Sequence, residues 1–327
     1  GAVALPSVPA PSSLRLATRG SPLARWQADR VAALLRRRGV GAELVVVETH
    51  GDRHVDVPLA DLVGQGVFVK EVQRAVSDGR ADVAVHSAKD VPAAPELQPA
   101  DLVLAALVER GDPRDCLVGG RLDDLPTGSL VATGSARRRV QLANRRPDLT
   151  FTDLRGNLAT RLARVGNDGV TAVVVAAAAL DRLGWVPPAG LPVETFAVDD
   201  VVPQVGQGAL ALECRADDGA VRTTLLALED GPTRRCVTAE RSFLAALGGG
   251  CTLPVGAHAV LAGDELVLTG LVAAEDGRVV LRHTERGSDP ELLGRSVARY
   301  LLDDAGARAF GPWDASDGDP GSVVVVP

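Results

Sequence analysis

The chain contains no methionine, and aromatic residues make up only 3% of its 327 positions. Its cores must be built from valine, leucine and alanine, small side chains that suit layered α/β packing better than an all-β sandwich. There are four cysteines, Cys116, Cys214, Cys236 and Cys251, with no C-x-x-C spacing and no accompanying histidine cluster. A zinc site is therefore not expected. So few thiols in a long chain point to a reducing, cytoplasmic setting and not to a disulfide framework. No apolar run reaches the roughly 20 residues that cross a bilayer. An excess of positive charge is also missing. The net charge of −7 argues against nucleic-acid or anionic-membrane binding through the field of the whole molecule. Any anionic ligand must be held by a local basic cluster. The first 13 residues, rich in Pro, Ala and Ser, lack the charged and apolar regions of a secretion signal and read as a disordered arm.

What is present is a hydrophobic content of 46%, enough for two or three domains at this length. Leu14-Arg-Leu-Ala-Thr18 alternates as a strand. Ser21 and Pro22 then suit the N-cap and first position of a helix over 23–38, and 43–48 is a second, Val-rich strand. This β-α-β order predicts a parallel sheet, in which ligands sit at the carboxyl ends of strands. Arg19 and Ser21 fall there. A polar loop over 51–66 precedes a short helix over 68–77. The strand over 82–87 runs straight into Lys89-Asp90, a second polar pair at a strand end. In isolation, that pair could equally be a surface ion pair.

After a turn-rich break at 110–115 the plan restarts. A strand over 129–133 leads through Gly134-Ser135 into a helix over 136–146 that opens with Arg137, Arg138 and Arg139. Cations disfavour a helix N-terminus, so an anion site explains the placement better than a solvated basic face. Arg155, Arg161 and Arg182 follow the next two strands. Arginine forks suit bidentate carboxylate binding, and several on one sheet edge imply a ligand with several carboxylates. The segment 201–215 is a Gly-punctuated loop and strand that could re-enter the first domain. A helix over 233–247 then meets Gly-Gly-Gly-Cys251-Thr-Leu-Pro-Val-Gly256. Cys251 could be a half-buried residue past a helix C-cap or an attachment point that a large group can approach. Strands near 257–261, 265–273 and 278–285 form hairpins, and a last helix runs over 290–303.

Read together, Arg19-Gly-Ser21-Pro, His-Ser87-Ala-Lys89-Asp90-Val-Pro, Thr133-Gly-Ser135-Ala-Arg137-Arg138, Leu-Arg155-Gly-Asn157-Leu-Ala-Thr-Arg161, Val-Gly-Gln-Gly-Ala and Gly-Gly-Cys251-Thr-Leu-Pro carry a specific resemblance. The chain, over 14–311, resembles the hydroxymethylbilane synthases, also called porphobilinogen deaminases. The resemblance implies an α/β protein of two periplasmic-binding-protein-like lobes with parallel-rich sheets plus a smaller C-terminal α/β domain. The divisions it suggests are a disordered arm at 1–13, a first domain of 14–110 with 201–228, a second of 111–200, a cofactor-attachment domain of 229–311 and a flexible tail of 312–327.

The activity implied is head-to-tail condensation of four porphobilinogen molecules into hydroxymethylbilane for haem biosynthesis, with release of ammonia. The cofactor implied is a dipyrromethane held through a thioether on Cys251. Loss of ammonia leaves a cationic electrophile, and Asp90 matches the family's catalytic carboxylate. Arg19, Arg137, Arg138, Arg155, Arg161 and Arg182 match carboxylate-binding positions. Lys89, Ser21, Thr133 and Ser135 match their hydrogen-bonding companions, and Gln27 and Phe68 match a substrate contact and a packing partner. The partner implied is porphobilinogen, bound by a monomer. Asp61, Gln65, Gly134 and Ala179 depart from residues common in the family. A module that only captured a polycarboxylate would need neither Asp90 nor the Cys251 turn.

Overall fold

The computed structural model describes residues 8–53, 66, 68–248 and 253–310. Expectations for the N-terminal arm, for Asp61, Gln65 and Cys251, and for the segment from Gly311 fall wholly or partly outside them. The first sheet is built from β1 (Ser13–Arg19), β2 (Gly41–Val47), β3 (Val83–Ser87) and β4 (Leu102–Val108), with α1 (Pro22–Arg36), α2 (His50–Arg53) and α3 (Lys70–Ser77) between them. The second uses β5 (Asp115–Val118), β6 (Leu130–Ala132), β7 (Thr150–Thr152), β8 (Val170–Ala176) and β9 (Val193–Thr195), with α4 (Ala136–Arg145), α5 (Leu158–Leu162) and α6 (Ala177–Arg182). β10 (Leu210–Arg215) then returns to the first sheet, and α7 (Gly219–Leu226) packs beside it.

The two sheets share one plan. Their strand orders are β2-β1-β3-β10-β4 and β7-β6-β8-β5-β9. In each, the fourth strand is antiparallel to both neighbours, β10 against β3 and β4 and β5 against β8 and β9. Each intruder is the strand that follows a crossing between lobes, so the two connections stitch the lobes reciprocally. This is the two-lobed plan expected of the family. β5 and β9 have no alternating pattern to mark them in the sequence. They are four and three residues long, and only pairing makes them strands. The central strands read as continuous apolar runs because both faces are covered, as in β8, where six of seven residues are buried.

The two connections touch where Gly111 N donates to Gly208 O at 2.8 Å. Gly208 has φ +93°, and a Cβ there would lie 2.7 Å from Gly111 O, so only glycine permits this crossing.

The chain ends in a third layer pair. α8 (Gly231–Ala246) and α9 (Pro290–Arg299) pack on an antiparallel sheet of β11 (Val255–Ala262), β12 (Glu265–Ala273) and β13 (Val280–Gly287). The expected single helix to 303 instead stops at Arg299 and widens into a π turn over Tyr300–Asp304. Glu240 on α8 ties this part to both connections. Fully buried, it accepts from Arg110 Nη1 at 2.6 Å and Nη2 at 2.9 Å, from Gly206 N at 2.9 Å and from Ala259 N at 3.0 Å. One carboxylate thus satisfies the first connection, the second connection and β11 together.

Candidate functional site

A cavity of about 910 Å³ opens between the two five-stranded sheets, with Leu253, Pro254 and Val255 along one side. That volume is at the upper end of small-molecule sites, roughly 300–1,000 Å³. Its walls begin where strands end and helices start, as the β-α-β pattern predicts. At the end of β1, Ser21 caps α1, accepting from Ala24 N at 3.2 Å. After β6, Ser135 caps α4, accepting from Arg138 N at 3.2 Å. Each serine oxygen is used by its helix, and each hydroxyl proton remains to donate into the cavity.

Among the described residues, six cations line the space: Arg19, Lys89, Arg137, Arg138, Arg155 and Arg161. Carboxylates among the lining residues are Glu48, Asp52 and Asp90. The positive excess is visible in the side chains themselves. Burial, then repulsion from Arg138, lowers the Lys89 ammonium to about 8. Burial, then Arg138 and Arg155, lowers Arg161 to about 10. Charges pushed toward neutrality by burial and by like neighbours would be stabilised by a bound anion.

Three of these cations have internal counter-charges. Arg19 pairs with Asp52 through Nε at 3.2 Å and through Nη2, and its guanidinium lies 4.2 Å over the Phe68 ring. Asp52 is held below the usual carboxylate range despite burial by Arg19 and Thr49. Asp115, at the start of β5 and with no exposure, accepts from Arg137 Nη1 at 2.7 Å and Nη2 at 3.2 Å, from Arg138 Nε at 2.8 Å and from Gln207 Nε2 at 3.1 Å. Burial opposes its ionisation, but Arg137 and Arg138 outweigh this and hold its carboxyl well below the usual range.

The unfavourable run of arginines thus has a built-in partner 22 residues earlier in the chain. Arg139 points elsewhere and donates to Glu275 O in the C-terminal part.

Gln27 and Lys89 also line the cavity. Gln27 Nε2 donates to Ser87 Oγ at 2.9 Å. Asp90 sits on the one-turn helix after β3, half-buried. Its carboxylate has no hydrogen-bond donor among the described residues, unlike Asp52 and Asp115. Two expected site residues stand outside the lining. Thr133 is buried, and its Oγ1 accepts from Ser135 N at 3.2 Å. Arg182 donates to Gly208 O at 2.7 Å and lies 5.5 Å over the Trp26 ring. Cys251 itself lies outside the described residues, two positions before Leu253.

Asp52, Ser87, Asp115 and Gln204, which lines the cavity and donates through Nε2 to Lys89 O at 3.2 Å, were missed in the sequence. Ser87 could have been found from its place two residues before Lys89. The others read in the sequence as loop or break, and only folding brings their arginine and lysine partners close.

These features define a two-lobed α/β protein with a cationic cleft for a polyanionic ligand, bordered by a third domain. The chain belongs to the porphobilinogen deaminase family. The family model "Porphobilinogen deaminase, dipyromethane cofactor binding domain" matches residues 14–223, and "Porphobilinogen deaminase, C-terminal domain" matches 234–303. Proteins named porphobilinogen deaminase from two strains of Acidithiobacillus ferrooxidans are each 47% identical over 300 residues, covering 89% of this chain and 95% of theirs. A crystal structure of the methionine-binding protein MetQ aligns with a TM-score of 0.42 and 14% identity, over 73% of this chain and 95% of that one.

The residues present fit a dipyrromethane. Its acidic side chains would meet Lys89 and Arg161, whose pKa values are lowered by burial first and then by neighbouring cations. Leu253, Pro254 and Val255, which follow Cys251 closely in the sequence, line the cavity.

Proposed function

We propose that this chain is a hydroxymethylbilane synthase in which Asp90 is the catalytic carboxylate and Cys251 carries the cofactor. The reaction is a transferase reaction of tetrapyrrole biosynthesis. Four porphobilinogen molecules and one water give one hydroxymethylbilane and four ammonia molecules. When bound, the dipyrromethane supplies the first pyrrole carbon nucleophile and a fixed anchor. The chain's residues do the rest. Arg19, Arg138, Arg155, Arg161 and Lys89 receive acetate and propionate groups, and the Ser21 and Ser135 hydroxyls donate beside them. Arg137 supports this wall through Asp115.

Asp90 accepts hydrogen bonds from pyrrole N–H groups and offsets positive charge at the carbon that loses ammonia. It also takes and returns the proton moved in each condensation. Such proton transfer contributes about 10²–10⁴-fold, and fixed charge in a water-poor cleft adds more. The observation that carries the assignment is that Asp90 is the half-buried carboxylate of the cleft left without a protein donor among the described residues, while Asp52 and Asp115 are held by arginines and Glu48 is exposed.

The roles given to Thr133 and Arg182 are indirect, one holding the Ser135 turn and the other bridging the lobes. We divide the chain into three domains, 14–110 with 201–228, 111–200 and 229–311, on the support of the three separate sheets. We take the working form to be a cytoplasmic monomer, a reading in keeping with free thiols at Cys116, Cys214 and Cys236.

The test begins with intact mass under denaturing conditions and peptide mapping. The Cys251 peptide should carry the mass of two linked pyrroles, and Cys251→Ser should carry none and be inactive. Asp90→Ala should keep the added mass and lose nearly all turnover. Wild-type-like activity in Asp90→Ala would overturn the mechanism.

A further inference from the structure

Beneath the turn that carries Asp90 lies a buried polar cluster that the reaction scheme does not use. Arg241, on α8 of the C-terminal domain, sends its guanidinium across to the first lobe. Nη1 donates to Val91 O at 2.7 Å and Nη2 to Pro92 O at 3.0 Å, the two carbonyls that directly follow Asp90. The arginine is half-buried, desolvation lowers its pKa, and its opposing charge is Glu213 on β10. Glu213 in turn is 2.8 Å from His86 Nε2 and accepts from Gln73 Nε2 at 2.9 Å. His86 lies on β3, four residues before Asp90, so the cluster grips the turn from both sides.

We infer that Arg241 is a positioning residue for the reaction. It fixes the Asp90 turn to the helix that leads into the Cys251 segment, so that the catalytic carboxylate keeps register with the anchored chain and not only with its own lobe. The choice of residue follows from geometry. Two successive carbonyls need two donors in a rigid planar fork, which arginine has and the single ammonium of lysine lacks. The need follows from the topology. Asp90 and the anchor belong to different domains, and without a tether their spacing would vary with any movement between them. Among the described residues of α8, Arg241 is the one that donates to this turn. Glu240, beside it, holds the interlobe connections instead. Displacements near 1 Å can lower a rate about 10²-fold.

The inference rests on Asp90 as the catalytic carboxylate, and the experiment separates the two. Arg241→Met and Arg241→Lys are compared with Asp90→Ala and with the double variants, all as cofactor-loaded enzymes verified by mass. Arg241→Met is expected to lose about 10²-fold in kcat with KM within about twofold, and Arg241→Lys to recover part of that loss. The decisive readout is coupling: in the Asp90→Ala background, Arg241→Met should cost almost nothing more, because it acts through a carboxylate already gone. Equal fold-losses in both backgrounds would overturn the positioning role. An active Asp90→Ala would instead overturn the assignment of Asp90. If Arg241→Met is not recovered as folded enzyme, Arg241→Lys carries the same comparison, and additivity there refutes the inference equally.

Discussion

Asp115→Asn isolates the charge that the cleft's arginines require. The substitution keeps the size of the side chain and removes a charge that is fully buried against Arg137, Arg138 and Gln207. Breaking a buried pair from one side leaves an uncompensated charge and costs about 3–5 kcal/mol. At about 2–4 °C per kcal/mol for a body of this size, the second lobe should melt about 10 °C lower.

Denaturant and thermal unfolding, followed through Trp185, which packs on that lobe's core, give the assay. The cofactor-free variant should lose more than the cofactor-loaded one, since a bound polyanion restores negative charge. The sign with pH is also determined. The Asp115 carboxyl is depressed in the folded state, so its stabilisation is complete above the unfolded value of about 4 and fades as pH falls through the folded value. The gap between wild type and variant should therefore narrow progressively below about pH 4. A loss under about 1 kcal/mol at pH 7, within the ordinary range of point mutations, would refute the view that Asp115 is the counter-charge.

Other outcomes follow from the same geometry. Lys89, lowered to about 8, is charged below that pH and neutral above it while ligand-free, so KM for porphobilinogen should rise between pH 8 and 9 in wild type and stay flatter in Lys89→Gln. Lys70 and Lys89 are the two lysines of the chain, so NMR titration of the lysine side chains, with Lys70→Arg for assignment, checks the shift directly. The same depression opposes folding below pH 8 and is relieved toward 10.5. Gly294→Ala should destabilise the C-terminal domain although alanine favours helices by about 1 kcal/mol. Its Cβ would meet Ala239 O, Phe243 N and Ser242 Cβ, each at 2.6 Å, where α9 crosses α8. Overpacking against backbone costs about 1–3 kcal/mol or more, and unchanged stability in differential scanning calorimetry would contradict that close crossing.

Much of the site was legible from order along the chain. The strand ends at Arg19, Lys89-Asp90, Ser135 and Arg155 could be placed because a β-α-β pattern sends strand carboxyl ends to one edge. The helix caps at Ser21 and Ser135 were local, and local chemistry determines them. The arginine run at the start of α4 signalled an anion because the helix itself cannot supply one.

Tertiary structure alone decided which anion. Asp115 reads in the sequence as part of a turn, and it becomes the partner of Arg137 and Arg138 only when β5 inserts beside β8. The same holds for β5 and β9, too short to carry a period. It holds for Arg182, drawn from the cavity to Gly208 and Trp26, and for Arg241, whose acceptors lie 150 residues away at Val91. The division has a physical basis. Periodicity and capping depend on neighbours within a helical turn or along one strand. Counter-charges and tethers depend on which segments share a buried, weakly screened space, and that is set only when the lobes and the third domain close on one another.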